Sequence, residues 1–439
     1  MAMRSWLSAC VPAILLIGGV AGFVESGTQD VAIDVTRSDY EKIPIGLFSI
    51  QATGALDRSA DQVADVLRAD LKRSLVFALM DVSKYGVTLN GELDKNVKLL
   101  KEVADSGVTV LVWGNMTARE SDLVLDGFVY DAGSGESVVG KRYAGAPPTL
   151  RLMAHRLADE LVNRYTGEAG IARTKIAFIS EQGKSRELYV MDYDGYAPRQ
   201  VTADGFLTLM PRWSSDRKYL YYTSYREDRT RQEVHRLEVA TGKRQVVVSG
   251  GGLNMTPAVS PDGARLAFAS SKTGNTEIFM LDQTTNMTQQ LTVHAGGDLS
   301  PSWSPTGQDL AFTSDRSGRP QVYIMSADGS NVRRLTYEGD YNAAPAWSPK
   351  GNWIAHVCRT DTRQFKLCLT SPDGQKRRQL TTGNGIDDSP SWAPDGRHLV
   401  FSSVADGKSH LYLINVDGSG LERLTSGGVY HSDPAWSPA

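Results

Sequence analysis

The residues best able to bind or react lie in short loops just before a recurring proline in the second half of the chain. They combine carboxylates, amides, imidazoles and apolar side chains, which together can recognise a partner by charge, hydrogen bonding and contact. For any one of them alone, a solvated turn residue is the alternative interpretation. We expect partner contacts from Asn254, Met255, Thr256, His294, Asp298, Leu299, Tyr341, Asn342, Asp387, Asp388, His431 and Asp433.

These loop residues form a mildly acidic set when they are taken together. An acidic set suits a basic or hydrogen-bonding segment of a partner protein. Carboxylates are also the ligands that a hard cation such as calcium prefers, so an axial calcium ion is a second hypothesis for the same positions. No other cofactor and no further metal site is expected.

The sequence lacks the motifs of common enzymes. It contains no Gly-x-Ser-x-Gly elbow, no His-Glu-x-x-His and no Cys-x-x-Cys, and Gly183-Lys184-Ser185 has no upstream glycine of a phosphate-binding loop. No hydrolase domain follows the repeats described below, so we expect a non-catalytic protein. The alternative is a polysaccharide lyase that gathers His294 and His431 around a metal, which the acidic loops disfavour by repelling an acidic sugar.

A repeat in the second half of the chain positions these loops. Six similar segments recur at intervals of 44 to 46 residues and begin at Pro211, Pro257, Pro301, Pro345, Pro390 and Pro434. In five of the six, tryptophan follows the proline two residues later. In the middle units a Pro-x-Gly turn follows, such as Pro305-Thr306-Gly307, and three further short strands complete each unit. Four antiparallel strands in about 44 residues are typical of a β-propeller blade.

The strand count at the two ends of the repeat predicts how the ring closes. The segment at Pro434 has no later strands, whereas Lys175–Ile179, Glu187–Met191 and the stretch to Thr202 supply three strands with no first one. We therefore predict a six-bladed propeller closed by one shared blade. The tryptophans of the repeat alternate with small residues, which favours packing between blades; a platform that stacks sugars or bases is the alternative.

The first half of the chain has mixed helix and strand signals and no repeat. We predict a strand at Ile45–Ile50, a helix capped by Ser59 with Gln62 and running to about Ser74, and a helix over residues 94–105. A strand at Val108–Trp113, a hairpin over residues 123–143 and a last helix from Thr149 to Gly167 follow. The fold class is thus an α/β N-terminal domain plus an all-β propeller.

The N-terminus predicts export. Arg4 precedes an uncharged apolar run from Leu7 to Val20, followed by small residues, which is typical of a cleaved signal peptide and too short for the alternative, a membrane anchor. The expected organisation is a signal peptide at 1–22, an N-terminal segment at 23–43, the α/β domain at 44–167, a linker at 168–174 and the propeller at 175–439. We expect no direct membrane insertion.

Export also bears on the cysteines. Without Cys10 the mature chain keeps Cys358 and Cys368, which lie on neighbouring predicted strands and are free to pair in an oxidising compartment. We predict a disulfide, with two buried thiols as the alternative. Lys and Arg total 47 against 50 Asp and Glu, and this balance, with a formal net charge of -3, disfavours nucleic acid as a partner.

The signal peptide, the α/β domain and the six Pro-x-Trp-Ser units together resemble the TolB family of the Tol-Pal system over essentially the whole chain. The stretch from Thr313 to Tyr323 is particularly similar to that family. The resemblance implies a periplasmic adaptor that binds the lipoprotein Pal at the axial face of the propeller and TolA through its N-terminal segment. It also implies a role in outer-membrane integrity and cell division, with other outer-membrane proteins and colicins as further partners.

By position, the resemblance assigns the TolA contacts to the N-terminal segment. The residues concerned are Val31, Ala32, Ile33, Asp34, Val35 and Thr36. Their alternation of β-branched and smaller residues suits addition of a strand to the edge of a partner's sheet. The sequence departs from the family pattern at Ser215, where the other turns of the repeat carry proline.

Overall fold

The structure is a computed structural model that describes residues 41–52, 54–85, 97–183, 185–225, 231–405 and 407–439. The predicted signal peptide and the predicted TolA-binding residues 31–36 lie outside the described residues. Two domains are visible in the described part, an α/β domain that begins at β1 and a ring of β-sheets that begins at Lys175.

The α/β domain is a five-stranded sheet with helices on both faces. The strand order is β2-β1-β3-β4-β5, in which β1 runs parallel to β2 and β3, and β3, β4 and β5 are antiparallel. Its elements are β1 (Ile43–Gln51), α1 (Asp57–Arg73), β2 (Phe77–Met80), α2 (Val97–Asp105), β3 (Val110–Arg119), β4 (Asp122–Asp131), β5 (Ser137–Gly145) and α3 (Leu150–Thr166).

Strand alternation divides the core of this domain between the two faces. Along β3, Val110 and Val112 pack in the cluster that contains α1 and α3, whereas Leu111 and Trp113 pack in the cluster that contains α2. Successive side chains of a strand point to opposite faces, so this single strand serves both cores. The hairpin of β4 and β5 confirms the one predicted over residues 123–143.

The prediction of a capping box at Ser59 is wrong. A 3₁₀ turn at Gly54–Leu56 leads directly into α1, which begins at Asp57 with no side-chain hydrogen bond at its cap, so Ser59 lies inside the first turn. Strand β2 was not predicted, because four residues are too few to show a period. The helix predicted from residue 94 begins at Val97 in the described residues, and its predicted start lies outside them.

The propeller consists of six four-stranded sheets arranged as blades, as predicted. Its first blade holds β9 (Thr208–Trp213), β10 (Tyr219–Ser224), β11 (Glu233–Glu238) and β12 (Arg244–Val248); the second holds β13 (Asn254–Val259), β14 (Arg265–Ser270), β15 (Glu277–Asp282) and β16 (Thr288–Gln290); the third holds β17 (Asp298–Trp303), β18 (Asp309–Ser314), β19 (Gln321–Ser326) and β20 (Arg333–Arg334). The fourth holds β21 (Asn342–Trp347), β22 (Ile354–Arg359), β23 (Phe365–Thr370) and β24 (Arg377–Gln379), and the fifth holds β25 (Ile386–Trp392), β26 (His398–Ala405), β27 (Lys408–Asn415) and β28 (Glu422–Arg423).

The sixth blade closes the ring by joining the two ends of the repeat. Its strands are β29 (His431–Trp436), β6 (Lys175–Gln182), β7 (Ser185–Asp192) and β8 (Arg199–Gln200), in that order. Strand β29 pairs antiparallel with β6, with Trp436 opposite Ile176. The predicted shared-blade closure is therefore confirmed.

The tryptophans of the repeat lie between blades. The indole nitrogens of Trp213, Trp303 and Trp392 each donate a hydrogen bond to a backbone oxygen of the preceding blade's first strand, at 2.8–3.0 Å. Trp436 instead donates to the Thr174 hydroxyl at 2.8 Å, which ties the last strand to the start of the ring. The interpretation of these residues as inter-blade core agrees with this geometry.

The two cysteines form a disulfide within the fourth blade. Cys358 lies opposite Lys366 and Cys368 lies opposite His356, so the bond joins a diagonal pair of β22 and β23 with Cα atoms 5.8 Å apart. Both residues are buried.

The α/β domain contacts one end of the propeller. We call this end the turn face, because it carries the turns that follow each first strand and those between the third and fourth strands. Glu168 accepts hydrogen bonds from Lys350 and Arg397, and Arg73 of α1 pairs with Glu422. The opposite end, which carries the loops entering each first strand, is the axial face.

A buried network adds to the contact between the two domains. The Tyr193 hydroxyl, on the propeller side, donates a hydrogen bond to Asp70 of α1 at 2.5 Å, and the other carboxylate oxygen of Asp70 lies 2.7 Å from Nδ1 of His155 in α3. All three side chains are buried, so the network helps to hold the α/β domain against the turn face.

Candidate functional site

A β-bulge in every first strand shapes the axial face. The residue before each repeat proline has a left-handed backbone, with φ between 48° and 55°, although none of the six is glycine. The pairing register with the second strand shifts at the same place in all six blades. The residues concerned are Met210, Thr256, Ser300, Ala344, Ser389 and Asp433. Such strain persists only where the surrounding structure enforces it.

Five of the predicted contact residues are buried at the seams between blades, at the start of their strands. Asn254, Asp298, Asn342, Asp387 and His431 are at most 7% exposed. Their side chains are therefore largely closed to solvent, and the prediction that they contact a partner stays a prediction. Each of them bonds or packs against the neighbouring blade or an adjacent loop.

The chemistry of these seams differs from one blade to the next. Asn342 donates to Gln321 Oε1 at 2.9 Å, whereas Asp387 forms an ion pair with Lys366 at 3.2 Å. The Asp298 carboxylate instead accepts a hydrogen bond at 2.8 Å from Arg316 of its own blade, and burial raises its pKa. The pairs made by Asn342 and Asp387 therefore join neighbouring blades of the ring.

Two histidines share the seam between the fifth and sixth blades. The rings of His410 and His431 lie 6.1 Å apart, and both side chains are buried. Burial lowers the pKa of His431 below its ordinary value, and the neighbouring His410 acts in the same direction. Both rings are therefore favoured in their neutral form.

The remaining predicted residues reach the surface. Met255, Thr256, Leu299, Tyr341 and Asp433 are partly exposed, whereas His294 and Asp388 are exposed. His294 and His431 stand at the start of the third and sixth blades, on opposite sides of the ring, so the structure does not gather them as a lyase would require. Among the described residues no group of three or more His, Cys, Asp or Glu side chains is placed to hold a metal ion.

The exposed acidic groups lie together on the side of the fifth and sixth blades. The Ser389 hydroxyl donates to Asp433 at 3.2 Å, and Tyr341 lies near Asp388. The Asp388 side chain is exposed, although protein surrounds it on most sides. Because the surrounding protein partly desolvates the carboxylate, its pKa is raised, and the nearby Asp433 carboxylate raises that pKa further. One cation, the half-buried Arg212, faces Asp433 from the first blade.

A ring of exposed apolar residues surrounds the axial face and was missed from the sequence. Each loop entering a first strand, or the start of that strand, carries one such residue. They are Leu207, Leu253, Val293, Tyr337, Ile386 and Val429, with exposed fractions from 37% to 85%. These six side chains lie on the same face as the predicted contact residues. The described part of the α/β domain contacts the turn face and leaves this ring uncovered.

The fold and this face define a class of protein: a two-domain propeller, closed by a shared blade, with apolar and acidic groups gathered at the end opposite its α/β domain. Residues 162–439 match the family described as the TolB beta propeller domain, and residues 31–138 match the TolB amino-terminal domain. The chain belongs to the TolB family.

Curated relatives agree with this assignment. A Tol-Pal system protein TolB of Desulfosudis oleivorans is 33% identical over 259 residues, which is 57% of this chain and 57% of the relative. A Tol-Pal system protein TolB of Gluconobacter oxydans is 31% identical over 286 residues, covering 63% of this chain and 60% of the relative. The matched region thus spans less than two thirds of either relative.

A solved structure shares the architecture over nearly the whole length. The crystal structure of TolB from Acinetobacter baumannii superimposes with a TM-score of 0.77 at 25% sequence identity, covering 91% of this chain and 98% of that one. In the part of the chain that the structure describes, no helix combines the length and the apolar character needed to cross a membrane.

Proposed function

We propose that this protein is a non-catalytic periplasmic adaptor of the Tol-Pal system, which binds the lipoprotein Pal at the axial face of the propeller. The observation that carries the proposal is the ring of exposed apolar residues, one for each blade, on the face that the α/β domain leaves open. A ring of apolar side chains around one face suits a folded protein partner better than a small substrate.

The axial face has two chemically distinct sides, which gives the partner an orientation. Of the predicted contact residues that reach the surface, the apolar Met255 and Leu299 belong to the second and third blades, whereas Asp388 and Asp433 belong to the fifth and sixth. Apolar contacts supply most of the binding free energy at such surfaces, and complementary charge fixes the register. We therefore propose that Pal places an apolar group over the former and a basic or hydrogen-bonding segment over the latter.

We further propose that TolA is bound by a second site, the N-terminal segment at residues 31–36, through strand addition. The segment precedes β1 in the sequence and shares no residue with the axial loops, so the two proposed sites can be tested separately. Outer-membrane integrity and constriction at cell division follow from linking these two partners, and other outer-membrane proteins and colicins would use the same surfaces.

Calorimetric titration of the purified chain with the soluble domain of Pal tests the axial site. The change is the double substitution Val293→Asp with Tyr337→Glu, since these side chains are 85% and 72% exposed and lie in the loops that enter neighbouring blades. Placing two carboxylates where exposed apolar side chains would contact the partner should cost about 1 kcal/mol each or more, so we expect an affinity at least about tenfold lower.

Met287→Asp is the matched control, because Met287 is also 72% exposed but lies in a turn between third and fourth strands, on the turn face. We expect this variant to bind Pal like the parent, and we expect both variants to keep binding TolA. Equal loss of Pal binding in the control and the double variant, or undiminished binding in the double variant, would show that the axial face is not the Pal site.

A further inference from the structure

A cavity of about 490 Å³ opens on the turn face, at the seam between the sixth and first blades. Its floor is apolar and its rim is basic, which is unlike the acidic axial face. Its lining includes the apolar residues Val190, Met191 and Trp213 and the cations Lys175, Arg199 and Arg217. Its size is in the range of sites for small organic ligands.

The cavity exists because of the way the ring closes. In the second to fifth blades a turn joins the first strand to the second, and it packs beside the same turn of the preceding blade. A Cβ atom added at Gly263 would lie 2.8 Å from Ser215 Oγ, and one at Gly396 would lie 2.6 Å from Lys350 Cγ. The sixth blade has no such turn, because β29 and β6 come from distant parts of the chain, and the space beside residue 217 is left open.

Arg217 occupies a backbone position that glycine holds in the four following blades. Its φ is 62°, and Gly263, Gly307, Gly351 and Gly396 have φ between 65° and 76°. The turns are equivalent, since each of these residues donates its backbone N–H to the carbonyl three residues earlier. A non-glycine residue in this conformation costs roughly 1 kcal/mol, so the sequence tolerates strain to place a guanidinium at the cavity.

The rim carries four cations and one carboxylate. Arg173 is bonded to Asp159 at 2.6 Å, and Lys175 is paired with Asp192, so these charges are partly satisfied. The guanidinium groups of Arg199 and Arg217 have no hydrogen bond or ion pair to any of the described residues, and both side chains are exposed. By contrast, Arg333, which occupies the place of Arg199 in the third blade, donates to the Pro372 carbonyl at 2.8 Å.

We propose that this cavity binds a small organic anion, with Arg199 and Arg217 holding a phosphate or carboxylate group and the apolar floor around Trp213 holding its stem. Guanidinium groups match both oxyanions with paired, charge-assisted hydrogen bonds. The strained Arg217 is the specificity-determining residue, because glycine at this turn would keep the fold and remove the charge. The site is separate from the axial face and does not depend on the proposed Pal binding.

Calorimetric titration of the full chain with phenyl phosphate, phenylacetate and inorganic phosphate tests the site, and the two organic anions distinguish the phosphate from the carboxylate. We expect at least one organic anion to bind with a Kd below about 1 mM, more tightly than inorganic phosphate. Arg217→Gly should weaken that binding at least about tenfold, because the variant loses a hydrogen bond to a charged group. Arg199→Ala should do the same.

Arg217→Gly separates binding from folding. Relief of the left-handed backbone offsets the extra freedom that glycine gives the unfolded chain, so we expect a melting temperature within about 2 °C of the parent. Arg333→Ala is the matched control on the same face and should bind the anion like the parent. A Kd above about 1 mM for both organic anions, full binding by Arg217→Gly, or equal loss in Arg333→Ala would each overturn the proposal.

Discussion

Substitution of Lys366 tests whether the buried seams hold the ring together. Lys366 Nζ lies 3.2 Å from Asp387 Oδ2, and the two side chains are 1% and 5% exposed. Lys366→Met would leave the Asp387 carboxylate buried without its cation, supported only by the Ser403 hydroxyl at 2.6 Å. An uncompensated buried charge of this kind lowers the free energy of unfolding by about 3–5 kcal/mol. At roughly 2 °C per kcal/mol for a domain of this size, the melting temperature should fall by about 6–10 °C.

The assay is urea unfolding followed by tryptophan fluorescence, with the midpoint and slope fitted for each variant. Gln321→Met is the matched control, because Gln321 faces Asn342 at the preceding seam without a net charge, and its loss should cost only about 1–3 kcal/mol. The double substitution Lys366→Met with Asp387→Leu should be more stable than Lys366→Met alone. A Lys366→Met variant no less stable than Gln321→Met, or a double variant less stable than Lys366→Met, would show that the ion pair does not hold the seam together.

Three further predictions follow from the fold. Burial lowers the pKa of His356 to about 4, so the folded protein keeps this ring neutral at pH values where the unfolded chain protonates it. We expect the free energy of unfolding to fall by about 3 kcal/mol as the pH drops from 6.5 to 4, and His356→Gln to remove that part of the pH dependence of urea unfolding. The bond between Cys358 and Cys368 closes a short loop, so neither residue should titrate as a thiol after denaturation without reductant, and reduction should lower stability by about 2–3 kcal/mol; two free thiols in the mature chain would contradict the disulfide. Removal of residues 431–439 deletes β29 and the buried Trp436, so the free energy of unfolding should fall by more than the about 3–5 kcal/mol that one buried tryptophan contributes. A smaller loss would contradict closure of the ring by the shared blade.

The repeat made the propeller predictable from the sequence. Each blade is a self-similar unit, so the spacing of the prolines fixes the number of blades, and the unmatched strands at Lys175 and Pro434 fix the closure. The α/β domain was harder to predict from the sequence. Helix α1 begins without the capping box that Ser59 and Gln62 suggest, and β2 is only four residues long.

The candidate site was only partly predictable, for two physical reasons. Polar residues such as Asn254 and Asp298 are buried because both faces of each blade pack against neighbouring blades, and the bulge before each proline shifts their register in a way that the sequence pattern does not show. The exposed apolar ring has no fixed spacing, since Leu253 lies four residues before its proline and Val293 lies eight before, according to the length of each loop. Only the structure brings these residues to one face.

Amide hydrogen exchange of the full chain, with and without the soluble domain of Pal, locates the docking surface on the propeller. We expect Pal to slow exchange in the loops entering the first strands, at residues 293–300, 337–344, 386–389 and 429–433, and to leave the turn face unchanged. Slower exchange confined to the turn face or to the α/β domain, with the axial loops unaffected, would contradict the claim that the axial face of the propeller is the docking surface.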